Sequence, residues 1–172
     1  QIYIPDTSHN VVNVFNPDGS YLTQISGSAT PATGFSYPCG VALVGDTLYI
    51  GNAFSGEVDR YVRSGNPITD GDFDDAITGL PFSTCGVAVD SGGNVYNAPN
   101  AFSQAATITK FAPSDFGTNA PTGTHVTDGA QAFAVNPDDD HLFADSGTSV
   151  SEFDSSGADA GVVFGNEHTH AD

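Results

Sequence analysis

The sequence predicts an all-β fold, a β-propeller of four-stranded antiparallel blades with about four blades in its 172 residues. Three observations carry this expectation. An apolar motif returns at a constant interval: Gly40-Val41-Ala42-Leu43 reappears as Gly86-Val87-Ala88-Val89, and a looser copy begins at Ala132, each 46 residues after the one before. Each copy is followed by a turn rich in Gly, Asp and Asn and then by a second apolar run, the signature of a β-hairpin. Aromatic side chains also recur, at Tyr3, Tyr49, Tyr96 and Phe143 in the predicted second strands and at Phe15, Tyr61, Phe111 and Phe153 in the third. A four-stranded unit repeating at this length cannot bury its apolar faces alone, and stacking such sheets around a central channel makes a propeller.

The opening unit, residues 1–27, supplies three strands, at 2–4, 11–15 and 21–26, and lacks the leading apolar strand of the others. Its turns are 6–10 and Asn16-Pro17-Asp18-Gly19, the latter a strong turn signal. The second unit, 38–80, reads as strands at 41–44, 47–51 and 57–62 with a weak fourth near 76–80, and its segment 66–75 is too acidic and turn-rich to be expected in the core. The third, 85–127, reads as strands at 87–90, 94–96, 107–111 and 124–127, with long loops at 99–105 and 113–123. The fourth, 131–165, reads as 132–135, 141–144, 150–153 and 161–164, followed by a polar tail at 166–172. Side chains two apart on a strand share a face, so the recurring aromatics should fill the layers between neighbouring sheets. No substantial helix is expected.

Composition narrows the function. Three Lys plus Arg stand against 21 Asp plus Glu, a formal net charge of -18, which leaves no basic footprint for nucleic acid and would be repelled by an anionic membrane surface. No apolar run is long enough to be inserted in a membrane as a helix. The simplest reading of the acidity is a solvated surface suited to a saline or extracellular setting. The chain opens on Gln1, so a cleaved segment or a longer parent protein is expected.

Candidate chemistry is sparse. Asp70, Asp72 and Asp74 alternate oxygen ligands in Asp70-Gly71-Asp72-Phe73-Asp74-Asp75, as calcium loops do, without the glycine and distal glutamate of an EF-hand. Asp138-Asp139-Asp140-His141 forms a second cluster at a hairpin turn, where Asp is also favoured with no metal present. Asp6, Asn52 and Asp145 follow the second strands and either cap turns or face a ligand. His168 and His170 are spaced for a divalent ion but equally suit an exposed tail. The two cysteines, Cys39 and Cys85, hold equivalent positions 46 residues apart. They are read as a disulfide between adjacent blades, contributing on the order of 4 kcal/mol by loop entropy, or as two buried thiols. No nucleophile elbow or phosphate-cradling glycine loop is present.

Residues 2–19, IYIPDTSHNVVNVFNPDG, resemble the NHL repeat, in which a strand ending in Asp precedes one ending in an aromatic, Asx, a turn residue, Asp and Gly. The stretches 35–42 and 85–96 are similar to the other half of that repeat, although Val12 stands where a basic residue is common. The resemblance implies a ring of six blades, closed by a longer chain or by further copies. It also implies two kinds of function. One is a secreted or cell-surface module that binds a protein or carbohydrate ligand, or assembles, without catalysis. Its ligand face would carry His9, Asn52, Phe54, Asn100, Phe102 and Asp145, with Phe54 and Phe102 either anchoring a partner or packing their loops. The other is a metal-dependent enzyme of lyase or lactone hydrolase type, with a divalent cation in the channel near Asp6, His9, Asn52 and Asp145.

Overall fold

The computed structural model describes residues 1–99, 106–130 and 132–165. Asn100, Phe102, Gln131 and the tail with His168 and His170 lie outside the described residues. Among the described residues fifteen strands form four antiparallel sheets. The first sheet has three strands in the order β1 (Ile2–Asp6), β2 (Val11–Phe15), β3 (Tyr21–Ile25). The second has four, β4 (Pro38–Val44), β5 (Thr47–Asn52), β6 (Glu57–Val62) and β7 (Phe73–Ile77). The third has β8 (Thr84–Val89), β9 (Val95–Pro99), β10 (Ile108–Phe111) and β11 (Thr124–Thr127). The fourth has β12 (Ala132–Val135), β13 (Leu142–Asp145), β14 (Val150–Phe153) and β15 (Asp159–Phe164). Among the described residues the helical content is two 3-10 turns, Asp70–Asp72 and Pro113–Asp115. No described helix is long and apolar enough to cross a membrane.

Strand pairing shows why two aromatics recur in each blade. In the second blade Tyr61 pairs with Leu48, whereas Tyr49 pairs with Arg60. The third blade repeats this, Phe111 with Val95 and Tyr96 with Lys110, and so does the fourth, Phe153 with Leu142 and Phe143 with Glu152. Because neighbours along a strand point to opposite faces, the two aromatics lie on opposite sides of the same sheet. Each interblade layer therefore combines the second-strand aromatic face of one blade with the third-strand aromatic face of the next. Tyr3, Val12, Val14 and Ile25 pack on Leu48, Ile50 and Tyr61. Tyr49, Val58 and Ile77 pack on Val89, Val95 and Phe111. Ala88, Tyr96, Ala98 and Ile108 pack on Leu142, Ala144 and Phe153. Apolar area removed from water at about 25 cal/mol per Å² makes these layers the main source of stability.

The leading strands β4 and β8 approach so closely that side chains are excluded at chosen points. A Cβ on Gly40 would lie 1.9 Å from the Cys85 carbonyl oxygen, and one on Gly86 would lie 2.5 Å from the Phe133 ring. This is what the recurring glycine before Val-Ala achieves. Beside it, Cys39 and Cys85 form a disulfide with their Cα atoms 5.2 Å apart, joining β4 to β8 and so the second blade to the third.

Two expectations need correction. Segment 66–75 is not simply a surface loop: Ile68 is fully buried, Asp72 is buried, and the fourth strand of the blade is Phe73–Ile77 rather than 76–80. The strand lies at the sheet edge, where Asp74 can face solvent while the backbone pairs, so an acidic sequence is compatible with a strand there. The recurring aromatics do not all fill layers either. Phe15 and Phe143 lie on the outward faces of the first and fourth blades and are only partly buried, because no described blade packs there.

The two glycines differ in what an alanine would meet. Gly40→Ala is expected to destabilise the fold by about 2–3 kcal/mol, since backbone must move, and Gly86→Ala by less, since the Phe133 ring can turn aside. Urea unfolding of both variants checks the order.

Candidate recognition face

Three loops that are distant in sequence meet at one end of the second and third blades. They are the connection before β4, the β5–β6 turn and the connection before β8. Backbone hydrogen bonds lock them together: Ala53 N–H donates to the Tyr37 carbonyl at 3.2 Å, Phe54 N–H to Ser36 at 3.0 Å and Ser83 N–H to Ala53 at 3.0 Å. Tyr37 N–H in turn donates to Asn10 Oδ1 at 2.8 Å, which draws in the first blade. The loops bring Tyr37, Phe54 and Phe82 into a continuous stack. Ring centroids are 4.7 Å apart for Tyr37 and Phe54 and 4.8 Å for Phe54 and Phe82, with interplanar angles of 18° and 6°. Phe54 is 46% exposed and Phe82 68%. Tyr37 and Ser83 hold φ of 62° and 81°, left-handed values that cost a non-glycine residue about 1–2 kcal/mol each.

Beneath the stack lies a buried polar cluster. Asn52, Glu57 and Asp59 are all at least 95% buried and share the sheet face that packs on the first blade. The Asn52 carbonyl oxygen accepts from Ser36 N–H at 2.7 Å, and its amide nitrogen lies 3.4 Å from both Glu57 and Asp59 carboxylates. Asn52 thus supports the Ser36 segment, which carries Tyr37 and whose carbonyl accepts from Phe54 N–H. Asp59 Oδ1 and the Tyr61 and Tyr3 hydroxyls are buried without a hydrogen-bond partner. Burial, reinforced by the neighbouring Glu57 carboxylate, pushes the Asp59 carboxyl well above the usual aspartate range. Burial also raises Glu57, against hydrogen bonds from Asn52 and the Ala32 backbone.

The other sequence candidates do not converge. His9 lies in the β1–β2 turn, where its Nδ1 is 2.8 Å from Asp6 and its N–H donates to the same carboxylate. Asp145 accepts from Gly147 N–H at 2.6 Å within its own turn. The alternating acids of the proposed calcium segment turn to three separate places. Asp70 accepts from Ser26 and Gly27 of the first blade, at 2.8–3.2 Å. Asp72 accepts from Ser64 and Thr69, and these hydrogen bonds, the Ser64 hydroxyl foremost, lower its pKa to about 2. Asp74 pairs with Arg60 at 2.6 Å. In the second acidic cluster, Asp140 accepts from Ser91 N–H and Oγ while His141 turns to Glu152 at 2.6 Å. Among the described residues no three His, Cys, Asp or Glu side chains gather as a metal site. Sequence reasoning missed Tyr37, Phe82, Glu57 and Asp59. The aromatics were visible only as loop residues, and the acids differ in no local way from those on the surface.

No protein-family profile matches the chain, and no curated protein sequence matches it. Solved structures do. Hydrazine synthase of Kuenenia stuttgartiensis is similar over 92% of this chain and 44% of its own, with TM-score 0.58 and 17% identity. A putative 6-phosphogluconolactonase from Bacteroides uniformis is similar over 88% of this chain and 46% of its own, with TM-score 0.55 and 17% identity. The chain spans less than half the length of either, and at this identity the likeness shows the fold alone: an all-β structure of antiparallel propeller blades.

The buried carboxylates give stability a pH dependence. A native pKa above the unfolded value means that the unfolded chain loses its proton first, so the contribution of Asp59 and Glu57 to stability is greatest below the ordinary carboxylate range and declines as pH rises toward the raised value, whereas the lowered carboxylates such as Asp72 contribute in the opposite sense, only at lower pH. The slope for one such proton is at most about 1.4 kcal/mol per pH unit. Asp59→Asn is expected to flatten this decline and to be the more stable form at pH 8, as measured by denaturant unfolding across pH 4–8.

Proposed function

We propose that this chain is a secreted or cell-surface, NHL-like propeller segment acting as a non-catalytic binding or assembly module. The observation that carries the reading is the pair of uncovered blade faces. The outward face of the first blade presents Ile2, Ile4, Phe15 and Tyr21, with Ile4 47% exposed and Phe15 and Tyr21 rings 5.7 Å apart. The outward face of the fourth presents Phe143 and Phe164, 6.1 Å apart, beside exposed Val162. Phe15 and Ile2 occupy the registers that Tyr61 with Leu48 and Phe111 with Val95 fill in the internal layers. Phe143 likewise occupies the register of Tyr49 and Tyr96. Each end is thus half of a layer the chain builds three times internally, and exposed apolar surface of this kind marks an interaction site. Further blades, from a longer chain or further copies, supply matching halves. The disulfide supports an oxidising compartment.

The enzyme reading, a lyase or lactone hydrolase using a divalent cation, including Ca2+, would have to draw ligands from beyond those gathered among the described residues. One preparation separates the two. Sedimentation of the 17.6 kDa chain is expected to show multiples whose mass is unchanged by chelation. Ile4→Glu should weaken association at least tenfold, because it places a charge in the layer at a cost of about 1.4 kcal/mol or more. A monomer indifferent to Ile4→Glu would refute assembly through these faces, and loss of metal together with activity would favour the enzyme.

A further inference from the structure

The Tyr37–Phe54–Phe82 stack is separate from the uncovered blade faces, and its rings belong to none of the three buried clusters between blades. Phe82 is the most exposed of the large apolar side chains described, at 68%, and among the described residues Phe54 covers one face of its ring and no other ring covers the second. Three hydrogen-bonded loops hold that ring in place, so a ligand stacking on it meets a surface already ordered.

The net charge of the whole chain bears on the choice of ligand. The face of a phenyl ring carries the negative lobe of its quadrupole, and here it belongs to a chain of net charge -18. All three basic side chains are committed elsewhere, Arg60 to Asp74, Arg63 to Asp46 and Lys110 to Asp90. Phosphate, sulfate and carboxylate ligands therefore find no counter-charge, while a cation is attracted both at long range and at contact. The chain covers aromatic rings in this way itself: the Arg60 guanidinium carbon lies 4.1 Å from the Phe116 ring centre, and Lys110 Nζ lies 5.0 Å from that of Tyr96. A planar guanidinium stacks flat on a ring, as an ammonium cannot, and parallel rings extend naturally into a further parallel plane.

We propose that this stack is a docking surface for an arginine-bearing segment of a basic protein, with the guanidinium lying on the second face of Phe82 and flanking apolar atoms against the exposed edge of Phe54.

The test titrates the full chain by calorimetry, after its oligomeric state has been measured, with the peptide Gly-Arg-Gly-Arg-Gly-Arg-Gly, its lysine counterpart and cellohexaose. The arginine peptide is expected to bind more tightly than the lysine peptide. Phe82→Ala should weaken it about tenfold, equivalent to about 1.4 kcal/mol, and Phe82→Trp should retain or tighten it. Phe82 is exposed, so both variants should unfold at the wild-type denaturant midpoint. Absence of arginine-peptide binding, binding unchanged in Phe82→Ala, or binding of cellohexaose in place of the peptide would overturn the proposal. None of these results depends on whether the chain assembles through its end faces.

Discussion

Everything in this structure depends on each blade being apolar on both faces at once. A sheet with one wet face can alternate polar and apolar residues, but a propeller blade is an inner layer and must offer packing surface in both directions. The chain meets this with two aromatics per blade placed one register apart, so that Tyr49 and Tyr61 leave the same sheet on opposite sides. The blades then close on one another until backbone meets backbone at Gly40 and Cys85. Close approach at the leading strands and bulky packing further out give each layer a wedge shape.

That arrangement determines where charge can go. With few cations available, Arg60 and Lys110 occupy equivalent registers, each opposite the second-strand aromatic of its own blade. Arg60 spans the layer, pairing with Asp74 while lying over Phe116 of the third blade's β10–β11 connection. Lys110 reaches Asp90 at 3.2 Å and the carbonyl of Ser155 in the fourth blade at 2.9 Å. In the fourth blade the same register holds Glu152, which turns to His141 and raises its pKa. A cation holds this register in the second and third blades, each with a described blade beyond it, whereas the first blade, which also has one, holds Val14 there.

The repeat interval made the fold legible, because a motif such as Gly86-Val87-Ala88-Val89 repeats the steric requirement of its blade and not merely its hydrophobicity. Strand positions followed from turns such as Asn16-Pro17-Asp18-Gly19. What stayed hidden were relationships between units. Nothing local distinguishes buried Asp59 from exposed Asp74, since the difference is which face of which blade each occupies. Alternating acids at Asp70, Asp72 and Asp74 look like a ligand set in one dimension, yet a 3-10 turn followed by a strand sends them to three different partners. The aromatic stack joins residues 37, 54 and 82, whose common location exists only once two blades are side by side.

The same two blades are those the disulfide joins, and its position bears on the stack. Cys39 follows Tyr37 by two residues and Cys85 follows Phe82 by three, so the covalent link lies just inside the loops that carry the outer rings. Tyr37 enters β4 with a left-handed φ, and Ser83 enters β8 the same way, each held by a backbone hydrogen bond to the turn that bears Phe54. With β4 and β8 tied, relative sliding of the blades that would separate the rings is opposed at its origin. The linked strands, the Asn52 amide behind Ser36 and the loop hydrogen bonds then act in one direction. They place ordering costs in folding rather than in binding, which is how a surface of only three rings can present a defined shape to a partner.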